Sequence, residues 1–599
     1  MNTRLIIPML LVLCLCLPVF AGAESAPDSL YVRKVENLPD DFIFGMDISS
    51  VLAEEASGVK YYDFDGNETD LFRLLADSGI NYIRVRIWNN PYDDAGHGFG
   101  GGNCDIAAAV EIGKRATACG MKLLADFHYS DFWADPGKQM VPRAWAKMNI
   151  GKKKDALYTY TLDCLAQLKQ AGVDVGMVQI GNEITNGMCG ENNWNSLIQL
   201  VGAGCRAVRE VMPEALIALH FTDPQNSDRF RGFAKNLADA EKRGLLQYDV
   251  FATSYYPFWH GTLDNLTALL TEISQKYGKK VMIMETSYPY TAEDTDFSGN
   301  SVTLDSWGEK PYPFSVQGQA DCIRDITDAV VNRTPACIGV CWWEGAWITV
   351  GTASWEANHE KWEKYGSGWA TSYAGVYDPN DAGKYYGGSS WDNQAFFGPD
   401  GKPLESLKVF RLMREGSGTA PENRRDSSGV SEEPSVPEQS GSAPKHNYIT
   451  DFSFENKSES WVFKNLKNTQ ELYVEDKPQD SLSGTKHAHF WSAKQNSVEF
   501  TLEQTVTDLP EGKFRFSVSV MGGDCGETDI YAYVMVNGKE VARSEQIPIT
   551  GWKNWNEGVI PEFDHPAGSE VTVGIYVKCQ GTGNGAWGKI DDAILNSVQ

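Results

Sequence analysis

The chain is predicted to be α/β in its larger part, a (β/α)8 barrel over residues 36–414, followed by an all-β sandwich of jelly-roll type over 448–599. Three observations predict this. Eight short apolar runs alternate with helix-like patterns in the first two thirds of the chain. A stretch at 415–447 is rich in Ser, Pro, Glu and Gly, carries no Phe, Trp or Tyr, and reads as a flexible linker. Beyond it the apolar period falls to two.

The first run, FIFGMDIS, begins at Phe42. NYIRVRIW (81–88), MKLLADFH (121–128), VGMVQIGN (175–182) and ALIALHF (215–221) follow, and VFATSYY (250–256), VMIMET (281–286) and CIGVCWW (337–343) complete the set. Between them lie helical patterns such as TDLFRLLADSG (69–79), DIAAAVEIGKRATACG (105–120), YTYTLDCLAQLKQAG (158–172) and LTALLTEISQKYG (266–278), each closing on Gly. Strands alternating with helices imply a parallel sheet, and eight such units suggest a closed barrel. A doubly wound open sheet is the alternative, but no Gly-rich dinucleotide loop accompanies the strands. In the last part, SVEFTLEQTV, KFRFSVSVMG, DIYAYVMVNG and VTVGIYVK alternate as strands, with NGK and PEGK turns between them.

The N-terminus reads as a targeting segment. MNTR is a short basic region, an apolar stretch follows, and Ala21–Gly22–Ala23 supplies small residues for cleavage near Ala23. The expected location is therefore secreted or cell-surface. Leu precedes both Cys14 and Cys16, which argues against a lipoprotein. Both cysteines leave with the segment, and the rest follow no CxxC spacing, so a zinc site is not expected. Cys119, Cys164 and Cys341 fall in apolar patterns and read as small buried hydrophobes. A net charge of −27 and a pI near 4.8 exclude a nucleic-acid partner, because nothing would neutralise phosphates. The 18 Trp and 25 Tyr fit either a well-packed core or flat rings that stack on sugars.

A barrel places its chemistry at the C-terminal ends of its strands. Two acids leave strands directly there, Glu183 after the fourth and Glu285 on the seventh. Cleavage of a sugar acetal needs such a pair, one to protonate the leaving oxygen and one to attack or to activate water. A single strand-end Glu would read as a salt-bridged loop residue; two, with Arg, His, Tyr and Trp at neighbouring strand ends, favour catalysis. Asn182 can hydrogen-bond a sugar hydroxyl. Arg84 and Arg86 share one strand face; one of them can hold Glu285 ionised while the other pairs with a structural acid. After Glu285, the acceptors Asp294, Asp296, Ser298 and Asn300 fall at every second residue, a spacing that can wrap calcium. A solvated acidic loop is the alternative.

The motifs GMDISSV (45–51), GINYIRVRIWNNP (79–91), DFHYSDFWADPGKQ (126–139), QIGNEITNG (179–187), SYYPFW (254–259), METSYPYT (284–291) and SWDNQAFF (390–397) resemble glycoside hydrolase family 53, the endo-β-1,4-galactanases of clan A. The resemblance covers nearly all of the larger domain. It implies Glu183 as acid/base and Glu285 as nucleophile of a retaining hydrolase acting on type I (arabino)galactan. It makes Trp88, His128, Asp131, Trp133 and Asp135 candidates for the sugar cleft, together with Tyr255, Tyr256, Trp343 and Trp347. It also implies that Ser389 and Asp392 complete the calcium set. Two departures stand out. Ser298 replaces a frequent His, and Gly345 replaces a frequent Pro, which predicts a looser loop after strand eight.

AHFWS (488–492), GWKNW (551–555) and GAWGKIDDAIL (585–595) resemble carbohydrate-binding module family 61, which implies β-1,4-galactan as partner. Trp461, Trp491, Trp552, Trp555 and Trp587 are shared between core and ligand platforms, about half to each. The expected protein is a monomer without a membrane span. Another clan A activity, mannanase or cellulase, and a catalytically silent glycan binder are the rival readings.

Overall fold

The computed structural model describes residues 30–417 and 447–598, apart from 305, 307, 352–353, 455–459, 468, 478–479, 483–485, 494–495, 507–508 and 583–584. The targeting segment and most of the linker expected at 415–447 lie outside the described residues. The chain divides into two compact units.

The first unit is a closed parallel barrel. Its strands are β1 (Ile43–Asp47), β2 (Tyr82–Ile87), β3 (Lys122–Phe127), β4 (Val175–Ile180), β5 (Leu216–Phe221), β6 (Val250–Ser254), β7 (Lys280–Thr286) and β8 (Cys337–Trp342). Each lies within a residue of an expected apolar run. The helices between them end where the chain cannot continue: Leu263–Tyr277 stops at Gly278, whose φ of 66° is left-handed. The helix expected from residue 158 begins earlier, at Ile150. Asn149 caps it by accepting from Lys152 N at 3.0 Å. Its first two turns are Lys-rich, with only Lys153 and Leu157 buried there, so the apolar pattern starts late.

Strand alternation organises the barrel interior. Near the strand starts, Leu124, Met177, Ala218, Ala252 and Met282 form an apolar plug. Two residues further along the same inward columns stand Asp126, Gln179, His220 and Ser254, all buried. Four of these columns thus pass from apolar to polar toward their C-terminal ends, while the β7 column continues apolar at Met284. Outside the barrel, the second strand faces and the helices share one large core.

The second unit contains β9 (Val462–Lys467), β10 (Glu471–Asp476), β11 (Lys486–Trp491), β12 (Ser497–Val506), β13 (Gly512–Gly523), β14 (Cys525–Val536), β15 (Lys539–Arg543), β16 (Gly551–His565), β17 (Val571–Gly581) and β18 (Trp587–Val598). They form two five-stranded sheets of antiparallel pairs, β10-β11-β18-β13-β16 and β15-β14-β17-β12-β9. Apolar side chains of both sheets share one core, as with Phe490 of one and Phe500 of the other, 5.2 Å apart. The four runs expected from sequence are β12, β13, β14 and β17. Edge strand β9 escaped because it is exposed at nearly every position, and interior β11 and β18 because they bury polar residues such as His487, Lys589 and Asp591. Trp461 belongs to the core, packed on Phe454 at 5.3 Å, whereas Trp552 is 56% exposed.

Among the described residues no helix is long and apolar enough to cross a membrane. Cys164 and Cys341 are buried as expected, and Cys119 is half-buried at a helix end.

Candidate active site

Glu183 stands three residues past the end of β4 and adopts a left-handed conformation, φ 42°. Glu344 does the same after β8, at φ 52°. A non-glycine residue rarely holds this conformation without a surrounding framework that fixes it. At Glu183 the framework is a relay. Ser254 Oγ donates to Glu183 Oε1 at 2.6 Å and lies 2.8 Å from His220 Nε2. Gln179 Nε2 and Asn182 Oδ1 lie 3.2 and 3.0 Å from His220 Nδ1 and hold the ring in place. Burial, helped by the Arg84 charge, pushes His220 well below the usual histidine range and keeps it neutral.

Glu285, on β7, meets two partners. Arg84 Nη1 lies 2.8 Å from Oε1, and the Tyr256 hydroxyl donates to Oε2 at 3.0 Å. Arg84 is itself fixed by Asp126 at 2.9 Å, Asn182 Oδ1 at 2.9 Å and Asp47 at 3.2 Å. Burial opposes the Arg84 charge, but its carboxylate neighbours outweigh that and raise its pKa.

The two candidate carboxyls therefore differ electrically. Burial raises Glu183 well above the usual carboxylate range, and the nearby Glu285 charge raises it further. Burial also raises Glu285, but Arg84 and the Tyr256 hydrogen bond oppose it. The proton shared by such a pair belongs on Glu183. Both carboxyls line one cavity of about 640 Å³ at the C-terminal end of the barrel.

Trp133, Trp343 and Trp347 form one aromatic wall of this cavity. Trp133 and Trp347 stack with planes 19° apart, and Trp343 lies 6.2 Å from Trp133. Arg86 supports the wall, its guanidinium 4.3 Å from the Trp133 ring. Its charge is met by Glu344, an ion pair buried behind the cavity, which leaves Arg84 as the arginine that reaches Glu285. Asn182 gives one N–H to Ala134 O at 2.9 Å and lines the same cavity. His128, Asp135 and Tyr256 also line the cavity. His128 Nδ1 accepts from Trp88 Nε1 at 3.1 Å, so its Nε2–H donates to Asp126.

Three expected cleft residues lie elsewhere. Trp88 is fully buried behind Trp133, 5.1 Å from its ring, and acts through that ring and His128. Asp131 is buried away from the cavity, accepting from Arg143 N at 2.9 Å and Nε at 3.0 Å. Tyr255 follows the inward-facing Ser254 and points out of the barrel, donating to Gly261 O at 2.8 Å. The loop after β8 is tied to β1 and to the segment at Phe396 by backbone hydrogen bonds. Gly345 N donates to Asp47 O at 3.0 Å, and the Met46 side chain packs close against its Cα.

Sequence reasoning missed Ser254, His220 and Gln179, and also Trp259, His260 and Trp391 of the cavity wall. The first three carry a legible signal, a polar residue two places after an inward apolar one. The wall residues come from loops whose path no local pattern reveals.

Asp294, Asp296 and Asp392 each bring an oxygen within 4.8 Å of the others. Asp392 Oδ1 and Asn300 Oδ1 are buried without a hydrogen-bond partner. Burial and mutual repulsion push Asp296 up to about 8 and Asp392 to about 6. Ser298 and Ser389 use their hydroxyls to accept from Gly388 N and Trp391 N. Three crowded carboxylates, two of them buried, together with the undonated Asp392 Oδ1 and Asn300 Oδ1, fit a hard cation.

The sequence profile of glycosyl hydrolase family 53 matches residues 43–410. The chain is similar to the endo-β-1,4-galactanase of Bacillus subtilis (strain 168), 54% identical over 395 residues, covering 66% of this chain and 91% of the relative. It is similar to the arabinogalactan endo-β-1,4-galactanase of Humicola insolens, 32% identical over 377 residues, covering 62% and 98%. Among solved structures it is similar to the GH53 catalytic domain of Ignisphaera aggregans, with a TM-score of 0.56 and 35% identity, covering 64% of this chain and 99% of that one.

Proposed function

The chain belongs to glycosyl hydrolase family 53, and from that membership and the paired carboxyls we propose that its barrel is an endo-β-1,4-galactanase acting on type I (arabino)galactan of pectin with retention of configuration. The observation that carries the reading is that Glu183 and Glu285 line one cavity at the C-terminal end of the barrel, with Glu285 held by Arg84 at 2.8 Å and by the Tyr256 hydroxyl at 3.0 Å. In the first step Glu285 attacks the anomeric carbon as the glycosidic C–O bond breaks, and Glu183 gives its proton to the departing oxygen. A galactosyl ester on Glu285 results. In the second step Glu183, now a carboxylate, takes a proton from water while the water oxygen displaces Glu285. Arg84 and Tyr256 keep Glu285 anionic before attack and stabilise it as a leaving group. Ser254 orients the Glu183 carboxyl. The Trp133–Trp343–Trp347 wall offers the face on which a pyranose ring stacks. Product analysis on linear galactan, with mannan and cellulose as parallel substrates, tests the assignment; galacto-oligosaccharides from the first alone are expected.

The pH profile has a definite sign. Glu285 must be ionised, so activity falls as pH drops below its pKa. Glu183 must be protonated, so activity falls as pH rises above its higher pKa. A bell-shaped kcat/KM profile is expected. Glu183→Ala, assayed on an aryl galactoside with an acidic leaving group, keeps the acid limb and loses the alkaline one. Survival of the alkaline limb in that variant assigns it to another group.

We further propose that calcium binds Asp294, Asp296 and Asp392, with Asn300 and the Ser298 and Ser389 hydroxyls alongside, and fastens the 294–300 loop to the 389–392 segment. Its part is structural. Chelation is expected to lower the melting temperature and added calcium to restore it. Identical melting curves for calcium-loaded protein and protein shown to be metal-free remove the site.

The second unit is proposed to bind β-1,4-galactan. Its own core, its exposed Trp552 and the family 61 motifs support this. A tethered module raises the substrate concentration near the barrel. Residues 448–599 alone should be retarded in galactan-containing gels; unretarded migration assigns the unit another ligand or a packing role. The basic and apolar residues of segment 1–23 support export.

A further inference from the structure

A second cavity, of about 390 Å³, opens beside the turn that carries Glu183. Asn186 of that turn forms one wall. Asn192 and Trp194, at the start of helix Trp194–Val211, form the next, and Arg229, Phe233 and Asn236 of helix Ser227–Lys242 close it. The half-buried Trp194 ring leans on Phe233, centroids 5.7 Å apart and planes 47° apart. Arg229 lies 5.4 Å from the Phe233 ring and donates to Thr185 O at 3.2 Å and to Asn186 Oδ1, which fixes it as a rigid edge. A flat apolar ring bordered by amide and guanidinium donors is what an uncharged pyranose needs: C–H face against the indole, hydroxyls to the amides.

The position is informative as well. Thr185 Oγ1 accepts from Thr222 N at 2.8 Å, and Thr222 with Asp223 lines the catalytic cavity. Arg229 stands 4.0 Å from Asp223. One turn of chain therefore separates the two cavities. Glu183 protonates the leaving oxygen, so sugars beyond the cleaved bond extend on its side. We propose that this second cavity is a distal binding site for the leaving-group portion of a β-1,4-linked galactan chain. The proposal rests on the catalytic roles given above, and it predicts a preference for polymer over short substrates.

The test uses the full chain. Trp194→Ala and Asn236→Ala are assayed separately on linear galactan and on an aryl β-galactoside too short to reach the cavity. KM on the polymer is expected to rise about five- to tenfold with kcat unchanged, the loss of one stacking or hydrogen-bonding contact. Kinetics on the short substrate stay at the wild-type value. An unchanged polymer KM in both variants overturns the site while leaving the galactanase reading intact. Equal loss on both substrates overturns it too, because the residues then act through the catalytic turn. Failure of the wild-type chain to cleave galactan sinks the functional reading itself.

An independent observation lies in the second unit. Cys525 on β14 and Cys579 on β17 are diagonal neighbours across an antiparallel pair, brought together by a shift of register, with sulfur atoms 3.1 Å apart. The geometry points to a disulfide between them. Two S–H bonds break and one S–S bond forms. The two electrons and two protons pass to a small-molecule disulfide, which is reduced to two thiols. Cys525 is half-buried, so the exchanging reagent has access. Full-length protein equilibrated with glutathione disulfide should yield a cross-linked Cys525–Cys579 peptide by mass mapping, lost on reduction. A dithiol reductant should lower the melting temperature of the wild type and leave that of Cys525→Ser unchanged. Alkylation of both cysteines in the oxidised, unreduced sample overturns the assignment.

Discussion

Glu285→Ala is expected to abolish turnover on every substrate, polymer and aryl galactoside alike, by about 10⁴-fold or more. The reason is chemical. Without the carboxylate no galactosyl ester forms, and no improvement in the leaving group substitutes for a missing nucleophile. The protein should still fold. The variant leaves Arg84 with Asp126, Asn182 and Asp47 as partners, so the buried cation remains compensated. Galactan binding should persist, which separates lost chemistry from lost structure. Substantial activity on any substrate would remove Glu285 from the nucleophile's role.

Glu183→Ala is expected to fail differently. On galactan, where the departing sugar hydroxyl needs a proton, activity should fall about 10²–10⁴-fold. On an aryl galactoside whose leaving group needs none, the first step should survive and the galactosyl-enzyme accumulate, because no base remains to activate water. Azide, a nucleophile that needs no deprotonation, fits the space left by the truncated side chain. It should accelerate the second step and give β-galactosyl azide. An α-azide, or azide rescue of Glu285→Ala instead, would reverse the two assignments.

Much of this site is legible in the amino-acid sequence. The apolar runs placed the strand ends, and Glu183 and Glu285 stood out because each breaks an apolar run where a barrel puts its chemistry. Glu344 carries the same signal in WWEGAW, yet it faces Arg86 behind the cavity. Its burial and pairing distinguish it, and neither can be read from a strand end. The choice between Tyr255 and Tyr256 required the phase of alternation in β6, which the inward Ser254 sets. Arg84 and Arg86 point the same way, and only the third dimension gives Glu285 to one and Glu344 to the other. Trp259 and Trp391 reach the cavity through long loops, where sequence distance says nothing about spatial distance. In the second unit, β12, β13, β14 and β17 alternate visibly, whereas edge strand β9 buries too little on either face to show a period and interior β11 and β18 bury polar residues that obscure it.

The central claim is that this cavity cleaves β-1,4-galactan through a covalent galactosyl-enzyme on Glu285. Retention requires the two carboxyls to sit about 5–5.5 Å apart, with no room for a water between nucleophile and sugar. Proton NMR of the anomeric region during the first minutes of hydrolysis of linear β-1,4-galactan tests this most directly. The account predicts that the β-anomer of the new reducing end appears first and that the α-anomer grows in only by mutarotation. First appearance of the α-anomer would mean direct displacement by water and would contradict it.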